Sequence, residues 1–525
     1  MTTPPIATTP PSGFGRHIKN ISHQSSVFLL GTLFSTAAGY FFKIYLARVL
    51  GAEALGIYAL GMTVVSLAGI VAAVGLPQTA SRFVAVYSAT GESRRLGRFL
   101  WSAVAVLVVS NLLVGILLLV VKPWIARRLY HTPALATCMH FFVLIMLTGA
   151  LTSFLGQALA GFKDVARRTV ITSFIGQTLT MAVAIVLISA GFGLKGYLAA
   201  QVASAFAVVF LLGRTVWKLT PQGARLPSLG RPILEPEVIS FSMVLFAVQG
   251  LEFFTSQSDK VLLGIYLNAR EVGIYSIATA LIAFVPLALQ SVNQIFSPTI
   301  ADLHTRGDIK LLAQLFRSLV KWTLGLTLPL AVVIILFARR IMGMFGADFE
   351  SGWPVLVAGT VGQLINCGVG SVGYLLLMSG HQKKLLRIQT VMAVVVVGMN
   401  LILIPLMGML GAALSVAAVN AASNLWYLTE VHRSLGIWPS ARKYAALILP
   451  TAAMLGLVLL FRQFAATTWP AWAAIVVALA IGYPVFLGAS LLLGLDADDR
   501  VIAHAVRSKV LEMLGVSAKS VGENK

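Results

Sequence analysis

The chain has 525 residues, of which 58% are hydrophobic and only 11% charged, and its mean hydropathy is +0.89. A soluble domain carries roughly 25% charged residues, so this composition excludes a soluble globular protein and indicates an integral membrane protein. A formal charge of +21 would suggest nucleic acid in a soluble chain, but here the lysines and arginines are first assigned to membrane orientation, and no nucleic-acid partner is expected.

The first 20 residues, MTTPPIATTPPSGFGRHIKN, are Thr/Pro-rich and polar and read as a disordered cytoplasmic tail. The apolar run behind them is too long for a signal-peptide core, so nothing here looks cleaved. A span needs about 20 mainly apolar residues, and 14 such runs follow, near 24–50, 54–80, 99–121, 136–161, 169–191, 194–216, 238–267, 272–298, 314–338, 353–379, 388–406, 408–430, 443–464 and 469–494. The second and eighth extend toward Tyr87 and His304, with ends projecting beyond the bilayer. The expected architecture is an all-α polytopic membrane protein of about 14 transmembrane helices. It comprises an N-lobe over 21–220 (spans 1 to 6), a C-lobe over 221–435 (spans 7 to 12), two further spans in 436–495 and a cytoplasmic C-terminal tail over 496–525.

An even number of spans puts both termini on one side. Alternate loops carry clusters such as Arg94-Arg95-Arg98, Lys163-Arg167-Arg168, Arg214-Lys218-Arg225-Arg231, Lys383-Lys384-Arg387 and Arg433-Arg442-Lys443. They bring about 26 cations to one side against about eight opposite, and by the positive-inside rule both ends are cytoplasmic. The segment Lys122 to His131, with Arg127 and Arg128, runs against this trend.

FFKIYLARVLGAEALGIYAL (41–60) has a weaker copy in SDKVLLGIYLNAREVGIYSI (258–277), where Lys260 to Gly273-Ile274-Tyr275 repeats the spacing of Lys43 to Gly56-Ile57-Tyr58. The interval from Lys43 to Lys260 is therefore the offset of an internal repeat. TGESRRLGRFL (90–100) likewise answers RGDIKLLAQLF (306–316) with a one-residue slip, and GFKDVARR (161–168) sits where GHQKKLLR (380–387) sits in the other half. Six spans separate equivalent helices, so the repeat is parallel, and a binding site is expected between the halves near the midplane. Pro286, Pro329, Pro405, Pro450, Pro484 and the glycines of CGVGSVG (367–373) fall within spans. They either kink helices beside a cavity or allow close helix packing.

A charge at mid-bilayer costs about 2.5 to 3.5 kcal/mol on insertion scales and needs a partner, a cavity or a route to the interface. Arg48 and Lys321 lie close enough to helix ends to snorkel, and His140 reads as an interface residue. Lys43 and Lys260 lie deeper, about 10 Å from their outer helix ends. Thr32, Thr36, Tyr40 and Lys43 share one face of span 1, whereas Arg48 points about 140° away from Lys43. In span 7, Gln249, Glu252, Ser256, Asp259 and Lys260 form a polar sector about 140° wide. Glu252 and Asp259 are about 10 Å apart along the axis and cannot both ligate one ion. Three readings stay open: one carboxylate titrates or binds Na⁺ while the other neutralises Lys260; both are counter-ions in a hydrated cavity; or an ion pair only locks helix packing. Arg82, near the cytoplasmic end of span 2, is a candidate gate residue.

No GxxxxGK[ST], HExxH or zinc-spaced Cys/His cluster is present, no nucleophile-elbow context surrounds the scattered Ser, His and Asp residues, and the outer loops are short. An enzyme is not expected, and neither a cofactor nor a bound metal is indicated. Cys138 and Cys367 read as small core residues.

The stretch YLARVLGAEALGIYAL (45–60), followed by AAVGLPQTASRFVA (72–85) and combined with the 12-plus-2 layout and the repeat, resembles the Wzx-like polysaccharide transporters. These are the oligosaccharide flippases of the multidrug/oligosaccharidyl-lipid/polysaccharide (MOP) exporter superfamily. The resemblance implies two parallel-repeat six-helix lobes in a V plus two C-terminal helices, alternating access, and a bacterial inner-membrane location. It also implies a cationic cavity for the pyrophosphate and sugar head of an undecaprenyl-linked oligosaccharide, with Na⁺ or H⁺ coupling suspected across the family. On that reading Lys43 and Lys260 contact the diphosphate, and Tyr40, Thr36, Gln249 and Ser256 are neighbouring cavity contacts. Glu252 and Asp259 then serve as coupling or counter-ion groups. The implied partners are lipid-linked oligosaccharide, membrane lipids and other polysaccharide-assembly proteins. A drug/cation antiporter of the same superfamily is the alternative, since Glu252 and Asp259 suit a cation; a membrane glycosyltransferase or polymerase, or a scaffold, fits less well.

Overall fold

Within hydrocarbon every backbone N–H and C=O must be satisfied inside the protein, and a continuous apolar run does this as a helix. The computed structural model describes residues 12–225 and 234–492, and no β-strand occurs among them. Residues 1–11 and Arg231 lie outside the described residues, as does the segment 496–525. Ser12, inside the stretch expected as a tail, begins the first helix.

The chain divides into two compact units, Met1–Ser276 and Ile277–Lys525. Unit 1 contains α1 (Ser12–Ala73), α2 (Leu76–Ala89), α3 (Ser93–Trp124), α4 (Pro133–Gly161), α5 (Val165–Thr169), α6 (Gln177–Leu187), α7 (Gly193–Leu219) and α8 (Pro236–Tyr266). The start of α9 (Ala269–Ile282) also belongs to it. Its core joins α2, α3, α4 and α7 through Phe83, Phe99, Leu107, Phe154 and Leu212, with Val238 of α8 at its edge.

Unit 2 takes up the rest of α9 and continues with α10 (Leu287–Thr305), α11 (Ile309–Gly343), α12 (Trp353–Val369), α13 (Val372–Met378) and α14 (Gln382–Met407). It ends with α15 (Met409–Leu435), α16 (Ala441–Thr468) and α17 (Ala471–Leu492). Its core gathers Phe316 and Val320 of α11 with Leu375, Leu376 and Val431. Pro329, Pro405, Pro450 and Pro484 lie inside helices. The chain bends by 46° where α12 passes into α13 at Gly370, within CGVGSVG.

Among the described residues ten helices are long and apolar enough to cross a membrane, or twelve if each of two bent pairs is one span. This is fewer than the 14 runs expected: the two bent pairs cover two of the missing runs, and two long elements cover two expected runs each. Leu30–Ala73 and Val165–Leu219 each count once at 44 and 55 residues, although a straight helix of 44 residues is about 66 Å long against a hydrocarbon core of about 30 Å. Each contains glycines in conformations that other residues rarely adopt: Gly51 in the first (φ 79°, ψ 175°), Gly191 (φ 90°) and Gly193 (φ 52°) in the second. Gly51 falls between the expected runs 24–50 and 54–80.

The run 54–80 is itself broken. Val74 (φ 48°) and Gly75 (φ 71°) turn the chain between α1 and α2, and the Val74 carbonyl accepts a hydrogen bond from the Ser242 hydroxyl of α8. A Cβ on Gly75 would overlap the Ser242 carbonyl oxygen, so α8 meets this turn backbone to backbone, a contact that only glycine permits.

Candidate substrate-binding site on α1 and α8

α1 and α8 pack against each other in unit 1 and carry the two deep lysines. Lys43 is exposed, with its Nζ 4.9 Å from the centroid of the Tyr40 ring one turn earlier, a cation–π arrangement. Lys260 is half-buried, and its Nζ donates to Gln257 Oε1 at 3.0 Å. The two lysines thus have the same local design, each held by the residue three positions before it. Their charges lie within coulombic reach of one another. Among the described residues neither ammonium group has a carboxylate at ion-pair distance.

Asp259 is next to Lys260 in sequence but does not pair with its side chain. It is buried, with Oδ2 accepting from the Tyr275 hydroxyl at 2.6 Å and Oδ1 accepting from the Lys260 backbone N–H at 2.8 Å. Tyr275, at 1% exposure, is among the most deeply buried large side chains of the chain. Glu252 is exposed on α8, and its backbone carbonyl accepts from Ser256 Oγ at 2.8 Å. The Ser256 hydroxyl is therefore engaged within its own helix. Thr36 is exposed on the Tyr40 face of α1.

Farther along the same seam α2 faces α8. Gln249 and Gln78 exchange reciprocal amide hydrogen bonds, Gln78 Nε2 to Gln249 Oε1 at 3.3 Å and Gln249 Nε2 to Gln78 Oε1 at 3.2 Å. Arg82 reaches Glu237 at 3.5 Å, with both side chains at least half exposed, and its guanidinium lies 4.5 Å from the centroid of the Phe241 ring. So exposed an ion pair adds little to stability; its consequence is to tie α2 to α8. Beyond it Tyr87 donates to Glu235 Oε2 at 3.1 Å, and burial, reinforced by this bond and the carboxylate charge, pushes its phenol up to about 12.

At the Gly51 end of the unit the helices close on glycine. A Cβ on Gly56 would overlap the Ala269 carbonyl oxygen, and a Cβ on Gly273 would overlap the Ala52 carbonyl oxygen. At Gly264 a Cβ would instead meet the side chains of Leu60 and Tyr130. Between this contact and the Gln78–Gln249 pair, α1 and α8 present two ammonium groups that, among the described residues, have no carboxylate at ion-pair distance. That arrangement suits a ligand bearing several negative oxygens, which lysines meet as point charges.

Sequence reasoning missed Gln78, Gln257, Tyr275, Glu235 and Glu237. The offset that relates Lys43 to Lys260 also places Gln257 opposite Tyr40 and Tyr275 opposite Tyr58, so the repeat held a signal for those two. Gln78 lies in LPQTASRFVA without a local mark of its partner. Among the described residues no group of three His, Cys, Asp or Glu side chains is placed to hold a metal ion.

In sequence, the chain is similar to the probable low-salt glycan biosynthesis flippase Agl15 of Haloferax volcanii, at 28% identity over 183 residues, 34% of this chain. The match spans 39% of that relative's length. Among solved structures it is similar to the lipid II flippase MurJ in an inward closed conformation, with a TM-score of 0.72 at 16% identity, covering 89% of this chain and 98% of the other. It is also similar to an inward-facing multidrug resistance MATE family transporter of the MOP superfamily, with a TM-score of 0.60 at 14% identity, covering 79% and 97%. At such identities these likenesses establish the fold alone, an all-helical multi-pass membrane fold shared with those two proteins. Residues 45–352, more than half of the chain, match the family described as polysaccharide biosynthesis protein, and the chain belongs to that family.

Proposed function

We propose that this protein is a flippase that carries an anionic lipid-linked oligosaccharide from the cytoplasmic to the outer leaflet by alternating access, in cell-surface polysaccharide biosynthesis. The observation that carries the reading is the pair Lys43 and Lys260, repeat-related cations on packed helices, with no carboxylate at ion-pair distance from either ammonium group among the described residues. Such a pair meets the diphosphate that links glycan to lipid carrier, here taken as undecaprenyl diphosphate, while the lipid tail stays in the bilayer. Tyr40, Thr36, Gln249 and Ser256 flank the headgroup, and Arg82 is part of the gate at the cytoplasmic end. The chain sits in a bacterial inner membrane with both termini cytoplasmic, as its Lys/Arg distribution supports. Family membership and the flippase named among its relatives favour this substrate class.

The exposed carboxylate of Glu252 favours a second reading, export of organic cations coupled to Na⁺ or H⁺, because a cation needs counter-charge. Proteoliposomes separate the two. A flippase moves a fluorescent lipid-diphosphate oligosaccharide between leaflets and leaves an organic cation such as ethidium untransported; gradient-dependent ethidium transport without glycolipid flipping overturns the proposal. Glu252→Gln and Asp259→Asn, assayed with and without an imposed gradient, assign any coupling: the coupling carboxylate is the one whose loss abolishes the gradient dependence.

A further inference from the structure

Asp259 and Lys260 are adjacent in sequence, oppositely charged and set in an apolar helix, yet although their charges are within reach of one another the side chains form no ion pair at contact distance. Each side chain is held by a neutral group: Asp259 Oδ2 by the Tyr275 hydroxyl at 2.6 Å, Lys260 Nζ by Gln257 Oε1 at 3.0 Å. The other half of the repeat supplies the comparison. At the offset that relates Lys43 to Lys260, Asp259 answers to Phe42, and Tyr275 to Tyr58, whose hydroxyl accepts from Gln201 Nε2 at 3.0 Å. Lys43 therefore has no acid beside it and needs no such arrangement. In the second half an acid stands next to the lysine, and a buried tyrosine takes it up.

We propose that Tyr275 is a positioning residue that holds Asp259 away from Lys260, aided by Gln257, so that Lys260 keeps its positive charge available to a phosphate-bearing ligand. The proposal rests on the reading of Lys43 and Lys260 as a diphosphate site. Without the Tyr275 hydroxyl, the buried carboxylate lacks one of its two donors. The nearest compensating group is the Lys260 ammonium, whose stem is long enough to leave Gln257 and turn back. Capture of Lys260 in this way would halve the cationic character of the site without removing either lysine.

The test is the rate at which acetic anhydride acylates Lys260 in the full-length protein in nanodiscs, read by peptide mass spectrometry against the exposed Lys383. Tyr275→Phe should slow Lys260 acylation by up to about fivefold, the upper end of the range expected for a new ion pair. Adding Asp259→Asn to Tyr275→Phe should restore the wild-type rate, which a general loss of packing would not do. An unchanged rate in Tyr275→Phe, or a slowed rate that Asp259→Asn leaves slow, overturns the proposal. A second arm adds inorganic pyrophosphate to wild type. Protection of Lys260 supports the diphosphate reading. Absence of protection together with the Tyr275→Phe effect contradicts that reading alone, and protection without the Tyr275→Phe effect contradicts the positioning role alone.

Discussion

Gly56 and Gly273 are repeat-related residues that meet reciprocally: a Cβ on Gly56 would strike the Ala269 carbonyl and a Cβ on Gly273 the Ala52 carbonyl. Ala52 and Ala269 are separated by the same interval as the two glycines. Each half thus offers its partner the same glycine and the same carbonyl, the signature of an isologous contact. A methyl group has no room here. Gly56→Ala and Gly273→Ala should each cost about 1 to 3 kcal/mol of this packed arrangement. Their effect is to be read as a lower thermal midpoint and as faster maleimide labelling of an Ala52→Cys thiol. Unchanged labelling in both variants would show that the contact is not part of the protein's resting structure.

The reciprocal amide pair Gln78–Gln249 makes a second prediction. Each single replacement by Ala leaves one half-buried amide without its partner, whereas the double replacement removes both. A double-mutant cycle on thermal stability should give a coupling of about 1 kcal/mol, and a coupling near zero would mean that the two amides bond to other groups.

Tyr87, beyond the apolar part of its span, provides a pH dependence. Its phenol is raised from an ordinary value of 10.0 to about 12, so the protonated form that donates to Glu235 is favoured by folding. The stabilisation is complete below pH 10 and is lost as pH rises through about 12. At pH 8, Tyr87→Phe should be less stable than wild type by up to about 1 kcal/mol, the worth of one hydrogen bond. The difference should shrink across that alkaline window, while a pH-independent difference would assign the effect to packing.

Much of this arrangement was legible in the sequence where it depends on periodicity. Helical spacing put Lys43 on the Tyr40 face, the repeat offset made Lys260 its twin, and the junction of two apolar runs marked Gly51. What depends on tertiary contact was not legible. Nothing local says that Asp259 bonds to Tyr275 rather than to the lysine beside it, because that choice follows from where α9 returns against α8. The break at Val74-Gly75 was hidden because apolar composition continues across it, although Gly75 followed by Pro77 is an ordinary signal for one helix stopping and another starting. The span count differs for the same reason: a hydropathy run ends at a polar residue, whereas a helix ends at a backbone conformation.

The central claim is that Lys43 and Lys260 together receive the anionic headgroup, and flipping in proteoliposomes tests it most directly. Wild type, Lys43→Ala, Lys260→Ala and the double variant are reconstituted at equal density with a fluorescent lipid-diphosphate oligosaccharide, and the fraction reaching the opposite leaflet is followed with time. The account predicts a partial loss in each single variant and a loss of at least about tenfold in the double, since two charge-assisted contacts are removed. A double variant that flips at the wild-type rate would contradict it.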